Sequence, residues 1–149
     1  MLSCEQLKLD NQICFPIYAL SRLITSEYKP LLEKLELTYP QYLVMLLLWE
    51  TDGLLVSEIG KKLFLNTNTI TPLLKRMESN GLLTRERNKE DERKVIVKLT
   101  KKGHELELEA SKIPEKLFSK FDKSEIKKES LIEFRSTLNL LINHLNKNK

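Results

Sequence analysis

Thiol chemistry is the first thing the side chains offer, because the chain carries two cysteines and one of them, Cys14, has unusual company. It stands in Asn11-Gln-Ile-Cys-Phe-Pro-Ile-Tyr18, where an apolar-periodic segment begins. A helix starting there would place its partial positive charge at the sulfur and favour thiolate, the form that attacks peroxides. Three tyrosines could contribute. Tyr18, Tyr28 and Tyr39 lie near or at the ends of the first connection, and a phenolic O–H can donate to a thiolate. Spacing alone does not bring them together, and a buried structural cysteine is the commoner fate of a single thiol. Cys14 is therefore the candidate redox-sensing residue, and Cys4 is an extra thiol.

Other reactive constellations are poor. His104 and His144 stand apart, no Cys-x-x-Cys or His-x-x-x-His spacing occurs, and no glycine-rich phosphate loop is present. No catalytic residue, metal site or cofactor is expected. Two cysteines cannot build a disulfide framework, and a reducing cytosol would keep them as thiols unless one is specialised.

A second chemistry is recognition of a polyanion. The chain has 25 Lys+Arg against 21 Asp+Glu, a net charge of +4. Residues 82–103 hold eight basic side chains (Arg85, Arg87, Lys89, Arg93, Lys94, Lys98, Lys101, Lys102) and four acids (Glu86, Glu90, Asp91, Glu92), which matches the whole net charge. Just ahead, a helical segment from about Thr67 to Asn80 turns Ile70, Leu73, Leu74 and Met77 to one side. Asn68, Thr71 and Lys75 fall on the other, with Thr67 and Arg76 flanking. Thr67, Asn68, Thr69 and Thr71 offer hydroxyls and an amide for base edges or phosphates, and Lys75 and Arg76 offer cations.

Those groups need a scaffold. From about Asn11 to Leu35 the apolar positions recur every three or four residues, an amphipathic helix in which Pro16 and Pro30 predict bends near Phe15 and Lys29. Thr38-Tyr-Pro-Gln41 fits a capping box for a second helix ending near Asp52-Gly53. Residues 57–64 form a short third helix, a polar turn follows, and Gly81 stops the fourth. The period then switches to two: residues 82–87 and 94–100 read as strands around a hairpin tip at residues 88–93. There Asp91 and Arg93 alternate on one face, so the carboxylate could hold the guanidinium extended for a narrow minor groove. Thr100 caps a helix running to about Phe121, and Asp122-x-x-Glu125 starts the last one.

Helix, turn, helix and basic hairpin in this order make a winged helix-turn-helix, mainly α with a small β-hairpin wing. At the C-terminus Leu131, Phe134, Leu138, Leu141 and Leu145 repeat at three and four, a heptad-like seam that needs a partner. Packing on the same chain's first helix would satisfy it. A dimer built from both terminal helices would also do so, and would present paired reading heads to a pseudo-palindromic site. At 149 residues the chain holds one domain. Residues 38–103 are expected to form the DNA-binding lobe, and residues 1–37 with 104–149 the dimerisation lobe. The most apolar run, residues 43–49, is too short for a membrane span, and the expected location is the cytoplasm.

The segments closely resemble the MarR (multiple antibiotic resistance regulator) family and, within it, the organic hydroperoxide resistance repressors. Agreement covers nearly the whole chain and is carried by residues 11–18, Tyr28-Lys-Pro-Leu-Leu32, Leu37-Thr-Tyr-Pro-Gln-Tyr-Leu43, Thr71-Pro-Leu-Leu-Lys-Arg-Met-Glu78, Gly81-Leu-Leu-Thr-Arg85 and Glu90-Asp-Glu-Arg93. The resemblance implies a homodimeric repressor of double-stranded DNA that an organic hydroperoxide releases from its operator by oxidising Cys14. It implies that Tyr28 and Tyr39 bond to that sulfur across the dimer, that Tyr18 lines the site, and that Arg93 enters the minor groove supported by Asp91. Some relatives carry a second, resolving cysteine in the C-terminal region, and this chain has none there. That places it with the one-cysteine sensors, whose sulfenic acid condenses with a low-molecular-weight thiol. One departure stands at the reading end, where Asn66-Thr-Asn-Thr69 replaces the usual Asp-Ser-Gly-Thr. The rival readings are a regulator of the same type gated by a small aromatic ligand, with a structural cysteine, and a thiol-peroxidase enzyme.

Overall fold

A computed structural model describes residues 4–121 and 125–147. The first long helix, α1, spans Cys14–Leu32 and is preceded by two short 3-10 turns, Glu5–Leu7 and Leu9–Asn11. It starts three residues later than its periodicity suggests, and Phe15 is not a break. Pro16 falls in the first turn of α1, where backbone N–H groups have no intrahelical acceptor to lose. Nor is Lys29 a break, contrary to the expectation from Pro30: α1 runs through Lys29 and Pro30 to Leu32, a 3-10 turn follows at Glu33–Leu35, and Glu36 closes it at φ 55°.

Helix α2, Tyr39–Glu50, opens on the expected reciprocal cap. The Thr38 N–H donates to Gln41 Oε1 at 2.8 Å, and the Gln41 N–H donates to Thr38 Oγ1 at 3.5 Å. Strand β1, Leu54–Leu55, is too short to show a period and was not expected from the sequence. Helices α3, Val56–Leu63, and α4, Thr67–Ser79, follow. Strands β2, Leu83–Arg87, and β3, Val95–Leu99, form the hairpin, and β1 pairs with the far side of β3 in an antiparallel sheet ordered β1-β3-β2. Val97 sits between Leu54 and Arg85 in the register, which ties the hairpin base to the entrance of α3.

Thr100 caps α5, Lys101–Ala110, its Oγ1 accepting from the Gly103 N–H at 3.1 Å. The sequence suggested one helix from here to Phe121, but the chain breaks at Ser111 and Lys112 and restarts as α6, Ile113–Phe121. Pro114 explains the break, since it has no N–H to continue the ladder of α5 yet fits the first turn of a new helix. The last helix, α7, spans Lys128–Lys147 rather than starting at the Asp122 box, and Asp122 lies outside the described residues.

Two compact units result, Met1–Ile113 and Pro114–Lys149. The core of the first joins Leu32 of α1, Tyr42, Met45 and Leu48 of α2, Ile59 of α3, Leu74 and Met77 of α4, and Leu83 and Val97 of the sheet. In the second, Phe118 and Phe121 meet edge to face at 6.4 Å. No residue of α7 is buried, and Phe134, Leu141 and Leu145 of the seam are exposed. No helix among the described residues is long and apolar enough to cross a membrane.

Of the four glycines, Gly103 is the most tightly packed. Its carbonyl accepts from Trp49 Nε1 at 3.0 Å, and a Cβ added to it would collide with the Leu82 carbonyl oxygen and press on Leu99. Backbone cannot yield as a side-chain tip can, so Gly103→Ala should lower the unfolding free energy by about 1–3 kcal/mol. Urea denaturation followed by Trp49 fluorescence measures this; an unchanged midpoint would contradict the packing described.

Candidate functional site

The open face of α4 is what its sequence pattern requires. Ile70, Leu73, Leu74 and Met77 are buried, while Thr67, Asn68, Thr69, Lys75 and Arg76 are exposed and Thr71 is half-buried. Asn66 caps the helix: its Oδ1 accepts from the Thr69 N–H and from the Thr69 hydroxyl, both at 3.1 Å. Thr69 is thereby partly committed to the cap, whereas Thr67, Asn68, Thr71, Lys75 and Arg76 face outward from the helix. The Asn66-Thr-Asn-Thr69 departure keeps a side-chain cap without a carboxylate.

The wing tip is ordered by its own short bonds. Asn88 N–H donates to the Lys94 carbonyl at 2.8 Å, and the Lys94 N–H donates to the Asp91 carbonyl at 2.9 Å. The expected Asp91 support of Arg93 takes a different form. Asp91 Oδ1 accepts from the Arg93 backbone N–H at 3.1 Å, and its other oxygen pairs with Lys94 Nζ at 3.6 Å. Asp91 thus shapes the turn that carries Arg93 and leaves the guanidinium free of that carboxylate. Arg93, Lys94 and Arg85 line a cleft whose other wall is Ser57, Asn66, Thr67 and Thr71, so the wing and the entrance of α4 face one common space.

A clamp that sequence reasoning did not single out holds these two parts together. Arg85 on β2 donates from Nε and Nη2 to Glu78 Oε2 at 2.9 and 2.8 Å, while its backbone N–H donates to Oε1 at 2.9 Å. The Arg85 hydrogen bonds hold the Glu78 carboxyl below its usual 4.5, against a smaller opposing effect of burial. A charged pair flanking the helix-stopping Gly81 was the available signal. Below it, Asp52 Oδ1 accepts from the Leu99 N–H at 2.9 Å and anchors the base of β3.

The thiol lies elsewhere. Cys14 is exposed at the first residue of α1, and Cys4 is exposed at the head of the first 3-10 turn. Ile13, Phe15 and Ile17 beside Cys14 are 80%, 40% and 41% exposed, an apolar collar open on its own chain. Tyr18, one turn along, is exposed and receives a hydrogen bond from Arg22 Nη1 at 3.2 Å. Tyr28 and Tyr39 do converge, with ring centroids 4.8 Å apart, and Tyr42 joins them at 5.8 and 6.4 Å. Burial, with charge repulsion from the Tyr39 and Tyr42 hydroxyls adding to it, pushes the Tyr28 hydroxyl up to about 12, so it stays a proton donor at any physiological pH. Yet Tyr28 is fourteen residues beyond Cys14 on one helix, a rise of about 21 Å. Tyr18 shares the cysteine's end of that helix and Tyr28 does not, so one chain does not assemble the whole cluster. Between α1 and the start of α2 lies a second cavity, lined by Ser21, Arg22, Thr25, Lys29, Leu37 and Tyr39 among others.

Comparison with known proteins places this arrangement. The family described as "Transcriptional regulator SarA/Rot" matches residues 26–110. An organic hydroperoxide resistance transcriptional regulator of Bacillus subtilis is 54% identical over 110 residues, covering 74% of this chain and 75% of its own length. Among solved structures, reduced AbfR bound to DNA superposes with a TM-score of 0.75 at 38% identity, covering 93% of this chain and 98% of that one. Over-oxidised AbfR bound to DNA gives 0.74 at 37%, covering 95% and 96%.

The Glu78–Arg85 clamp predicts that the joint between α4 and the hairpin is acid-sensitive. A carboxyl held below its ordinary value contributes stability that is present above about 4.5 and is lost as pH falls through the lower folded value. Wild type should therefore melt above Glu78→Gln at pH 6–7, and the difference should shrink steadily below pH 4.5. Thermal melts across that range check it, and a gap that stays constant in acid would remove the clamp's charge from the account.

Proposed function

Because this chain belongs to the MarR-type winged-helix transcriptional regulators, in the organic hydroperoxide resistance group, we propose that it is a dimeric repressor whose Cys14 reports organic hydroperoxides by letting go of its operator. The observation that carries this reading is the divided sensor: an exposed thiol at the start of α1, and a tyrosine cluster about 21 Å away on the same helix. A second copy running antiparallel along the first would lay its Tyr28 and Tyr39 beside this Cys14, with Tyr18 on the near side. Apolar surface suits a dimer too: the α7 seam, with Phe134, Leu141 and Leu145 exposed and Leu131 and Leu138 half-buried, and the collar on α1. In this division residues 38–103 read DNA, and residues 1–37 with 104–149 pair the protomers.

On DNA, α4 enters a major groove with Thr67, Asn68, Thr71, Lys75 and Arg76, and Thr69 secures the cap. Arg93 reaches the flanking minor groove from a turn shaped by Asp91. Two such heads related by a two-fold axis ask for a pseudo-palindromic operator. The chemistry begins when the Cys14 thiolate takes the terminal oxygen of a hydroperoxide, giving a sulfenic acid and an alcohol. The collar of Ile13, Phe15 and Ile17, with half-buried Leu43 nearby in sequence to the tyrosines, favours a hydrocarbon-bearing oxidant by roughly 0.8 kcal/mol per buried methylene. The sulfenic acid then condenses with a thiol, a low-molecular-weight one or another cysteine. The solved relative named in its reduced form on DNA, and also in a disulfide-formed state at a TM-score of 0.66, supports a disulfide-type end point.

The cavity between α1 and α2 favours a second reading. Arg22 and Lys29 beside Leu37 and Tyr39 suit a small aromatic acid, and a regulator gated that way would ignore the thiol. Gel-shift titration separates the two. Cumene hydroperoxide should release wild type at concentrations well below those of hydrogen peroxide, and Cys14→Ser should stay bound. Release of Cys14→Ser by peroxide would end the sensor reading, and release of both proteins by an aromatic acid alone would establish the other.

Arg93→Ala should weaken operator binding by roughly 1–3 kcal/mol with the melting temperature unchanged. Asp91→Ala should cost less, since the turn has other bonds. Titration of both at one salt concentration measures this, and equal affinity for Arg93→Ala and wild type would refute the wing's role.

A further inference from the structure

We propose that Cys4 is the resolving thiol for Cys14, closing an intrachain Cys4–Cys14 disulfide through the folded N-terminal arm. The inference rests on the reading of Cys14 as the oxidised residue and names the thiol that follows it.

The arm is built to bring its ends together. Ten residues in extended form span about 33–36 Å, but here the chain from Cys4 to Cys14 coils through two 3-10 turns. Side chains tie the coil: Asn11 Nδ2 donates to the Glu5 carbonyl at 2.7 Å, and Gln12 Nε2 donates to the Gln6 carbonyl at 2.5 Å and the Lys8 carbonyl at 3.3 Å. These bonds set residues 5 and 6, next to one cysteine, beside residues 11 and 12, next to the other. Lys8 Nζ pairs with Glu5 inside the same coil at 2.5 Å. All of these bonds lie within the arm.

The arm is also free to adjust. Within its own chain none of its residues is buried, and both thiols are exposed there. A disulfide needs its two Cα atoms within roughly 4.4–6.8 Å, and a coil of exposed short-range bonds gives way at small cost compared with a packed core. Loop closure over this length takes on the order of 10–100 ns, and a short tether holds its partner at an effective concentration of millimolar order. Cys4 can therefore meet the sulfenic acid even where free thiol is scarce.

The steps balance. The Cys14 thiolate attacks the outer oxygen of ROOH, the O–O bond breaks, and Cys14–SOH and ROH form after one proton is taken up; the sulfur is oxidised and the peroxide reduced. Cys4–SH then attacks that sulfur, the S–O bond breaks, and the leaving oxygen departs as water with the Cys4 proton and one more, the hydroxyl's own. The product is one disulfide, with no further oxidant required. Capture at this stage also keeps the sulfenic acid from moving up the ladder to sulfinic acid.

The protein is treated with one equivalent of cumene hydroperoxide with no added thiol, then measured by intact mass, non-reducing peptide mapping and gel shift. Wild type should lose two hydrogens, yield a peptide pair joining Cys4 to Cys14 at monomer size, and leave DNA. Cys4→Ser should keep a dimedone-reactive Cys14, stay on DNA until a small thiol is added, and gain two further oxygens under excess hydroperoxide several-fold faster than wild type. A wild type that carries only a sulfenic acid, and needs added thiol to the same extent as Cys4→Ser, overturns the proposal while leaving Cys14 as sensor. A Cys14→Ser protein that still releases DNA overturns the underlying reading instead. A disulfide joining two chains at dimer size also counts against it.

Discussion

A helix is a rod of fixed rise, and that constraint governs the rest of this molecule. Cys14 opens α1, and Tyr28 lies fourteen residues along it, so about 21 Å separates the reactive sulfur from the phenols best suited to bond with it. No rotamer bridges that gap. The two halves of the proposed sensor become neighbours only if a second rod lies alongside in the opposite sense, so sensing and association become one requirement. In the proposed dimer, the exposed collar around Cys14 is covered by the same second copy that completes the sensor.

A different economy governs the reading head. Its groups are spread over α4 and the hairpin, which are joined by a turn at Gly81 with φ 71°, a place where the chain could flex. Glu78 and Arg85 span that turn with three hydrogen bonds, and the hairpin base is held by Asp52 and by the register of Val97 between Leu54 and Arg85. The wing tip, by contrast, carries only its own turn bonds. Rigidity at the base and local order at the tip suit a part that must keep its spacing from α4 yet fit a groove of variable width.

Much of this was legible in advance because it depends on periodicity and on local caps. The buried stripe of α4, the Thr38–Gln41 box and the two hairpin strands follow from side-chain spacing, and each stands within a residue or two of its expected place. The failures share a cause as well. The pattern suggests a bend at Phe15, where Pro16 is a tolerated start, and a continuous helix at position 114, where Pro114 breaks it. A proline's effect depends on its distance from a helix end, which the pattern alone leaves open. Strand β1 is two residues long, and the Glu78–Arg85 clamp joins different elements, so neither has a period to read. Alternation pairs Asp91 with the Arg93 side chain, whereas the turn brings the Arg93 backbone N–H and Lys94 Nζ to that carboxylate.

How a change at a tyrosine cluster could matter at α4 follows from packing. Tyr28 and Tyr39 touch Tyr42, which is buried and stacks edge to face on Trp49 at 6.3 Å. Trp49 holds the Gly103 carbonyl, at the point where α5 leaves the hairpin. From Tyr42 the same core runs through Met45 and Leu48 to Leu74 and Met77, the hidden face of the reading helix. Interiors packed this densely do not absorb a displaced ring by compressing; they shift to another packing or stay put. A bulky group or a tethered arm pressing on Tyr28 and Tyr39 therefore acts on the element beneath α4 and on the anchor of the wing together. In the proposed dimer, that double connection is the route by which oxidation of Cys14 would alter the spacing of two reading heads.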